Sequence, residues 1–571
     1  MREETPHHQF SIAVIGLFFV FLFFFCGCGR STFVSSRADA GQQAVKERER
    51  RLTEGNVTLS ARELVSYGQI EACVIQDDKK TLSLTLTLPD IPGSDDVYLY
   101  LFALEPYESY ETLRQPGAGP VAVTEKSRNS QFVWPYEEEQ LFQQFVPTLC
   151  MDGQYVPLSP GMYINNPETI ADNADSYPQT NSKKGLLLDP QMVETPLLED
   201  LHLQHAIYNI PLSLIVGETT NEVFPTITYS YKGKDYQFDG AVIASYDYLF
   251  GYLEDHEILA TAIILNDWDE QYPELIHPLA YREGTGAYYY AFNTAEEKGC
   301  LHLEAIASFL TERYSGKEHG LVSSWVIANE INQHKIWNYM DTDDIALYAA
   351  EFEKALRIFY TAARSNYAGA KVYFSVDHEW NREGNDNTEY FNGMELITQI
   401  NEIARQKGNY DWGLAIHPYP DPLTRVNYWT EQYDKTMDAP LLTLMNLSTT
   451  TDFMSQEEYL DRAGHVRSIT VTELGFTSAS GEKLQAAAFA YCYYIIDDNP
   501  YIEAFMMNRQ TDAPEEMRQG LAFGIYERDH TSKYIRDVFQ YIDTDEADRY
   551  LDFMLNILGA DSLEEALSWA R

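Results

Sequence analysis

The sequence is poor in cysteine, and this shortage narrows the classes of protein that it can encode. Only 6 of the 571 residues are Cys. The four beyond the N-terminal region lie far apart, without a Cys-x-x-Cys motif and without His at ligand spacing; they are Cys73, Cys150, Cys300 and Cys492. Neither a zinc site nor a disulfide-dense scaffold is therefore indicated. Buried free thiols are expected, and a Cys73–Cys150 pair stays open as an alternative.

Basic residues are also scarce. The chain has 41 Lys and Arg against 87 Asp and Glu, a formal net charge of −46. Such a surface repels phosphate backbones, so nucleic acid is excluded as a partner, and a strongly anionic substrate is disfavoured. Signature motifs for nucleotide cofactors, Ser hydrolases and zinc proteases are missing as well. Neighbours in the Asp377-His378-Glu379 run would point in different directions, so no metal and no cofactor are expected.

The N-terminus carries a processing signal. An almost unbroken apolar run from Phe10 to Phe25 leads into Cys26-Gly27-Cys28. A small residue before Cys at the end of such a run resembles the bacterial lipoprotein cleavage site. The resemblance implies a signal peptide over 1–28, lipidation at Cys28 (Cys26 is the second choice), and a location on the outer face of a bacterial membrane. An uncleaved anchor helix is the alternative, although the run is short for a full span.

Two folded regions are predicted beyond a polar tether at 29–56. Residues 57–160 contain short segments that alternate apolar and polar positions between turns, for example Thr81–Leu88, which predicts an all-β sandwich. Residues 161–194 are rich in Asn, Pro and Ser and are interpreted as a linker or wrapping segment. From 195 to 571, buried apolar runs alternate with helical patterns, which predicts a (β/α)₈ TIM barrel. A hairpin at Tyr229–Phe238 is expected on the catalytic rim of that barrel.

The eight barrel strands are placed on apolar runs. The predicted strands are Ile210–Val216, Leu259–Leu265, Tyr288–Phe292, Ser323–Ala328, Lys371–Val376, Gly413–Ile416, Ser468–Thr472 and Ile502–Met507. Helices are predicted between them, for example at Glu296–Tyr314, Thr342–Ser365, Gly393–Gln406 and Glu482–Ile496.

Two of these strands deliver a carboxylate to the end of the barrel where active sites form. The fourth strand runs into Asn329-Glu330, and the seventh runs into Glu473. The two strands lie across the barrel mouth, so the two carboxylates can face each other over a ligand. Glycoside hydrolysis needs such a pair, one carboxyl protonated and the other ionised. The sequence therefore predicts Glu330 as acid/base and Glu473 as nucleophile, with Asn329 bonding a sugar hydroxyl.

At these positions the chain resembles the clan A glycoside hydrolases. Asn329-Glu330 matches the clan's Asn-Glu motif, Glu473 matches its strand-seven nucleophile, and His417-Pro418-Tyr419 is similar to the His/Tyr pair bordering that nucleophile. Two departures stand out. Asn266-Asp267-Trp268-Asp269 occupies the predicted strand-two end, where the clan often has Arg, and Asn508-Arg509-Gln510 replaces a Trp after strand eight. Within the clan, the resemblance is greatest to bacterial secreted barrels of unassigned activity with a β-sandwich in front.

Further candidates for sugar binding follow from their positions after predicted strands, and each has a structural alternative such as loop capping or packing at the rim. Arg509 is expected to bring a guanidinium near the nucleophile. The complete set of substrate-binding candidates is Asn266, Asn293, Asn329, Asn332, His334, His378, Trp380, Asn381, His417, Tyr419 and Arg509.

The leading hypothesis is a retaining glycoside hydrolase that cleaves an extracellular or cell-surface oligosaccharide or polysaccharide. Two alternatives remain open: a non-catalytic carbohydrate-binding surface lipoprotein, and a transglycosylase that uses the same two Glu residues. The sequence specifies neither the sugar nor the oligomeric state.

Overall fold

The structure is a computed structural model that describes residues 33–110, 113, 117–282 and 284–571. The predicted signal peptide and Cys28 lie outside these residues. The segment predicted as a tether instead contains helix α1 (Phe33–Glu54), because charges spaced three and four residues apart pair along it, as Arg50 does with Glu47 and Glu54. Within the described residues, none of the helices has the length and apolar character needed to cross a membrane.

The predicted β-sandwich is confirmed. One sheet has the strand order β1-β2-β5 and the other has the order β4-β3-β6-β7, all antiparallel. Along β5, Ser130, Phe132 and Trp134 are buried and the residues between them are exposed, so the strand contributes alternate side chains to the core. The seven strands are β1 Gln69–Ile75, β2 Thr81–Thr87, β3 Tyr98–Leu104, β4 Ala122–Glu125, β5 Asn129–Pro135, β6 Gln144–Met151 and β7 Gln154–Pro157.

The closed eight-stranded parallel barrel is also confirmed. Its strands pair in the cyclic order β8-β9-β12-β13-β14-β15-β16-β17, and we number them one to eight in that order. All seven residues of β12 are buried, as expected for a parallel strand that is covered on both faces. The strands after the sandwich are β8 Lys184–Leu187, β9 His205–Pro211, β10 Ile227–Tyr231, β11 Lys234–Phe238, β12 Leu259–Leu265, β13 Val322–Ile327, β14 Lys371–Val376, β15 Trp412–Ile416, β16 Ile469–Leu474 and β17 Ile502–Met507.

The strand predictions contained three errors: one strand was missed, one was predicted where the chain forms a loop, and one was displaced along the sequence. The missed strand and the false strand offset each other in the numbering. The first barrel strand is β8, which lies inside the segment predicted as a linker, so the barrel begins before residue 195. The predicted strand at Tyr288–Phe292 is a loop that makes only isolated bridges. The predicted first strand, Ile210–Val216, is displaced from the actual second strand, β9. Glu330 and Glu473 therefore still follow strands four and seven.

The hairpin β10–β11 does not line the rim of the barrel as predicted. It follows strand two and packs on the outer face of helix α6 (Glu297–Arg313), where Tyr229 contacts Phe309. Lys232 at its turn forms ion pairs with Glu304 of that helix and with Glu105 of the sandwich. The hairpin thus joins the two domains.

Helices cover the outside of the barrel, and the four long ones predicted between strands are present. The helices after α1 are α2 Ala61–Leu64, α3 Pro196–Glu199, α4 Leu212–Ile215, α5 Gly240–Asp255, α6 Glu297–Arg313, α7 Ile345–Asn366, α8 Gly393–Gln406, α9 Ser448–Met454, α10 Glu482–Asp498, α11 Pro514–Met517, α12 Ile535–Tyr541, α13 Asp548–Leu558 and α14 Leu563–Ser568.

The connector from sandwich to barrel packs against the C-terminal ends of the helices that precede strands five and six. Tyr163 donates its backbone N–H to Lys407, and Asn173 donates its own to Asn366. The Arg357 guanidinium lies between the rings of Tyr163 and Tyr410. This end of the barrel is opposite to the strand ends that carry Glu330 and Glu473, so the connector leaves the mouth open.

Candidate active site

Glu330 is held at the mouth by an unusual backbone conformation. Strand β13 is fully buried and ends at Ile327; after it, Ala328 has φ 62° and Glu330 has φ 38°. Left-handed backbone is unfavourable for residues other than Gly and is concentrated at functional sites. The neighbouring strand compensates: the Glu330 N–H donates to Ser375 Oγ at 2.8 Å. The turn directs the Glu330 side chain into the cleft.

Glu473 lies within strand seven and is held by two donors from neighbouring strands. The Tyr419 hydroxyl donates to Glu473 Oε1 at 2.9 Å, and Asn508 Nδ2 donates to the same oxygen at 3.3 Å. Asn508 also donates to the Tyr419 hydroxyl at 3.1 Å. Donors that converge on one carboxylate oxygen fix the orientation of the Glu473 side chain.

His417 connects the two halves of the site. Its Nδ1 lies 2.8 Å from Glu330 Oε1, and its Nε2 lies 2.9 Å from the hydroxyl of Thr472, the residue before Glu473. The ring is fully buried, so both contacts are shielded from bulk water. The structure therefore places His417 against the predicted acid/base, whereas the sequence resemblance placed it beside the nucleophile.

Burial and neighbouring charges change the pKa values of Glu330 and His417. Burial raises the pKa of Glu330 above its ordinary value of 4.5; the hydrogen bond from His417 opposes this shift, and the charges of Asp377 and Glu473 add to it. The pKa of His417 is also raised: burial opposes the rise, but the hydrogen bond to Glu330 and the charge of Glu473 outweigh it. Within the pair, His417 favours the ionised form of Glu330 and Glu330 favours the protonated form of His417, so the rise in the Glu330 pKa comes from burial and from the neighbouring carboxylates.

Both glutamates line one cleft of about 170 Å³ at the barrel mouth. Asn329 lines it too, as predicted, and so does Arg509, whose Nη2 donates to Glu516 Oε1 at 2.9 Å. The complete lining is Leu187, Ile207, Asn209, Ile263, Leu265, Tyr289, Asn329, Glu330, Trp337, Thr472, Glu473, Asn508, Arg509 and Glu516. We call this the catalytic pocket.

Several predicted sugar-binding residues instead hold loops in place. Asn332 is buried; it donates to Asp377 Oδ1 at 2.5 Å and accepts the Asp377 N–H. Asn266 donates to the carbonyls of Leu275 and Ala291. Asn293 accepts backbone N–H groups just before α6. Their amides are used by their own loops, the structural alternative weighed for Asn266 and Asn293, and none of the three lines the catalytic pocket.

Two predicted aromatic contacts to sugar are wrong because the side chains are in the core. Trp380 is fully buried, donates its Nε1–H to the Met437 carbonyl at 3.0 Å and meets the edge of Phe453. His334 is also fully buried; its ring stacks on Phe391 at 4.0 Å, and burial lowers its pKa to about 4. Neither ring can reach a ligand.

His378 and Asn381 belong to the same loop and stay outside the catalytic pocket. The His378 carbonyl accepts the Leu442 N–H, and Asn381 Nδ2 lies 3.5 Å from Asp438 Oδ1. The loop after strand five thus packs against the segment 437–442 and does not bend over the cleft.

Sequence reasoning missed an aromatic wall beside Glu330. Trp337 and Tyr289 line the catalytic pocket, and Trp337 stacks on Tyr288 with ring centroids 4.7 Å apart and planes at 16°. Tyr289 was assigned to a strand that does not exist, and Trp337 follows Glu330 by seven residues within a loop. Aromatic faces suit the apolar C–H faces of sugar rings.

Asn209, Asn508 and Glu516 were missed as well. The departure noted at strand two concerned the wrong residues, since strand two ends at Pro211 and presents Asn209 to the cleft. Asn508 occupies the position where the clan often has Trp, and it bonds Glu473 directly. Glu516 comes from the short helix α11, and its sequence context gave no signal.

Clustered metal ligands and paired cysteines are both missing from the part of the chain that the structure describes. That part contains no group of three or more His, Cys, Asp or Glu side chains arranged to hold a metal ion. Cys73 and Cys150 are not bonded to each other, and burial raises the pKa of the Cys73 thiol.

Comparison with known proteins gives a family and distant structural likenesses. Residues 176–566 match the family described as "Family of unknown function (DUF5722)". No curated protein matches the chain. Similar solved structures include a family 39 glycoside hydrolase from Bacteroides cellulosilyticus WH2, at 13% identity over 84% of this chain and 81% of that one, with TM-score 0.42.

Two further likenesses are to a glucosidase from Croceicoccus marinus and a β-D-glucuronidase from Dictyoglomus thermophilum. The first has 13% identity over 66% of this chain and 68% of that one, with TM-score 0.40. The second has 11% identity over 84% and 68%, with TM-score 0.33.

Proposed function

The chain belongs to the family of unknown function DUF5722, and we propose that it is a retaining glycoside hydrolase in which Glu330 is the acid/base and Glu473 is the nucleophile. One observation carries the proposal. Two glutamates from strands four and seven line one pocket in contrasting environments. Glu330 is buried with a raised pKa, and Glu473 accepts hydrogen bonds from Tyr419 and Asn508. Separated protonation states on two carboxyls are what glycosidic cleavage requires.

In the first step, Glu473 attacks the anomeric carbon while protonated Glu330 gives its proton to the departing oxygen. The bond from the anomeric carbon to the leaving group breaks as the ester bond to Glu473 forms. Glu330, now ionised, takes a proton from water, which attacks the same carbon and releases Glu473. His417 keeps the Glu330 carboxyl in place through both transfers, since it contacts Oε1 from a fixed, buried position.

Asn329 and Asn508 are placed to assist at the sugar ring. Asn329 precedes Glu330 and lines the pocket, so its amide can bond a ring hydroxyl; such a bond strengthens as positive charge develops in the ring. Asn508 and Tyr419 hold Glu473 Oε1, which leaves Oε2 for the attack.

The substrate and the location extend the proposal. We take the substrate to be an extracellular or cell-surface oligosaccharide or polysaccharide. The protein would be held at the outer face of the membrane through Cys28. The apolar run Phe10–Phe25, which leads into Cys26-Gly27-Cys28, supports anchoring, and the open barrel mouth supports access by a chain.

Variants at the two glutamates test the proposal on an unactivated disaccharide and on a 2,4-dinitrophenyl glycoside. Glu473→Gln should abolish turnover of both. Glu330→Gln should slow the disaccharide by about 10²–10⁴-fold, because the leaving oxygen needs a proton, and should slow the first step far less with dinitrophenolate, which leaves without one. Equal losses on both substrates would contradict the assigned roles. Glycan binding without turnover by the wild-type protein, unchanged in both variants, would indicate a binding protein, and sugar transfer to an added acceptor would identify a transglycosylase.

A further inference from the structure

A second pocket adjoins the catalytic pocket. It encloses about 460 Å³ and is built by the loops after strands one, two and eight. Leu187, Asn209 and Arg509 line both pockets, so the two spaces lie side by side. We call this second space the side pocket.

The position of Glu330 determines which side of the cleft binds the leaving group and which side binds the glycone. A general acid must adjoin the oxygen that it protonates, so the leaving group lies on the side of Glu330. That side carries Tyr289 and Trp337, from the loops after strands three and four. Strands eight, one and two lie on the other side of the ring. The side pocket is therefore on the glycone side, beyond the ring whose anomeric carbon faces Glu473.

The walls of the side pocket suit a sugar ring. Tyr208 is half-buried and meets the buried Tyr246 edge to face, with centroids 6.0 Å apart and planes at 61°. The Tyr246 hydroxyl donates to the Asn209 carbonyl at 3.0 Å, which fixes the pair. Pro190, Pro211 and Leu214 complete an apolar wall. Flat apolar surface with a few polar groups is typical of carbohydrate sites.

The charges of the side pocket disfavour an acidic sugar. Arg509 is the one cation among the described residues that line either pocket, and Glu516 pairs with it at 2.9 Å. Asp512 is paired with the buried Lys533 and Glu515 with the exposed Arg518, and Asp189 adds a third carboxylate to the side pocket. A sugar carboxylate would meet repulsion here, whereas hydroxyls can accept from the guanidinium and donate to the carboxylates.

We infer that the side pocket is a binding site for a second, uncharged sugar of the glycone, so that the enzyme acts on chains and releases at least a disaccharide from their non-reducing side. This inference rests on the proposed function, and it adds a prediction of how the substrate is cut. Arg509 and Asn209, which line both pockets, would contact both sugars.

Chromogenic substrates test it. The probes are 4-nitrophenyl β-glycosides of glucose, mannose and glucuronic acid, together with the β-cellobioside and the β-mannobioside. For at least one neutral pair, nitrophenol release from the disaccharide glycoside should have kcat/KM at least tenfold higher than from the monosaccharide glycoside. Leu214→Trp, which fills the side pocket from a position that is 52% exposed, should bring that ratio close to one. Leu347→Trp, at a 39% exposed position on α7 outside both pockets, is the matched control and should keep the ratio.

Equal rates on mono- and disaccharide glycosides, a ratio that survives Leu214→Trp, or preferred cleavage of the glucuronide would overturn the inference while the hydrolase proposal stands. If none of the probes is cleaved, the hydrolase proposal has failed. Glycan binding then tests whether the side pocket is a sugar-binding site. A glycan array that retains the wild-type protein on neutral oligosaccharides but loses the Leu214→Trp protein would support the site. An array without such retention would end it.

Discussion

The imidazole of His417 lies 2.8 Å from the carboxyl of Glu330, and its other nitrogen contacts Thr472, next to Glu473. His417, which follows strand six, thus contacts the carboxyl of Glu330 after strand four and also contacts strand seven, which carries Glu473. A change at His417 should therefore alter proton transfer without removing either glutamate.

Replacing His417 with Phe should move the pH profile in a defined direction. The hydrogen bond from His417 lowers the pKa of Glu330 against the effect of burial, so its loss should raise that pKa further. Because Glu330 acts in its protonated form, the alkaline limb of kcat/KM should shift to higher pH, while the rate at the optimum falls about 10–100-fold as Glu330 loses its fixed orientation. An alkaline limb that shifts to lower pH would show that His417 does not act on Glu330 in this way.

Tyr419→Phe should slow catalysis without unfolding the protein. The change removes the hydroxyl that donates to Glu473 at 2.9 Å, and a hydrogen bond to a charged group contributes about 1.5–3 kcal/mol. We expect kcat/KM to fall about 10–100-fold. Tyr229→Phe is the matched control, since that hydroxyl bonds Glu312 at 3.2 Å far from the cleft, and it should leave kcat/KM unchanged. Similar losses in both variants would contradict a specific role for Tyr419.

Trp337→Ala should weaken the capture of oligosaccharides on the leaving-group side. Its ring lines the catalytic pocket and is stacked on Tyr288, so a sugar would meet a fixed aromatic face. The loss should be about 0.5–1.5 kcal/mol or more of binding, measured as a rise in KM. Trp337→Phe should restore most of the affinity. A ring that serves only to pack the loop would instead change the unfolding midpoint and leave KM unaltered.

The buried pair Lys533–Asp512 should stabilise the loop after strand eight. Both side chains are fully buried and lie 2.6 Å apart, and Asp512 also accepts the Gly524 N–H at 2.7 Å. Lys533→Met would leave the carboxylate buried without its cation, which costs about 3–5 kcal/mol. Urea denaturation followed by Trp fluorescence would measure the loss. Arg518→Met, which breaks the exposed pair with Glu515, is the control and should change little.

Cys28→Ser should release the protein from the membrane. If Cys28 carries the lipid, the variant should lose an incorporated alkyne–fatty acid label and appear in the soluble fraction. Cys26→Ser should keep the label and the membrane association. The opposite pattern would move the modification to Cys26, and a label on neither would favour an uncleaved anchor.

Local pattern predicted much of the barrel, and long-range contacts explain what it missed. Strands such as Leu259–Leu265 are continuous apolar runs, a pattern that predicts burial on both faces of a parallel sheet. Strand one is only four residues long and contains Lys184, whose burial is possible because Asp543 and the carbonyls of α12 receive its charge. No nearby residue signals that partner. The loop at Tyr288–Phe292 is an unbroken apolar run like that of a buried strand, but its backbone makes only isolated bridges.

Some residues of the candidate site could be predicted from local pattern, and others depend on long-range contacts. Glu330 and Glu473 follow apolar strands directly, so their position at the mouth could be predicted. Trp337 and Glu516 reach the cleft from loops and a short helix, whose paths depend on tertiary packing. His334 and Trp380 lie shortly after strand ends, where sugar-binding residues are common. Both are buried in the core instead, because His334 packs on Phe391 and Trp380 packs on Phe453.

Trapping the covalent intermediate tests the central claim most directly. A 2,4-dinitrophenyl 2-deoxy-2-fluoro-β-glycoside of the preferred sugar slows both steps but forms the first intermediate readily, because its leaving group needs no proton. Intact-protein mass spectrometry should show one added fluoroglycosyl group, and peptide mapping should place it on Glu473. A label on another residue, or full turnover of substrate without any label at Glu473, would contradict the account.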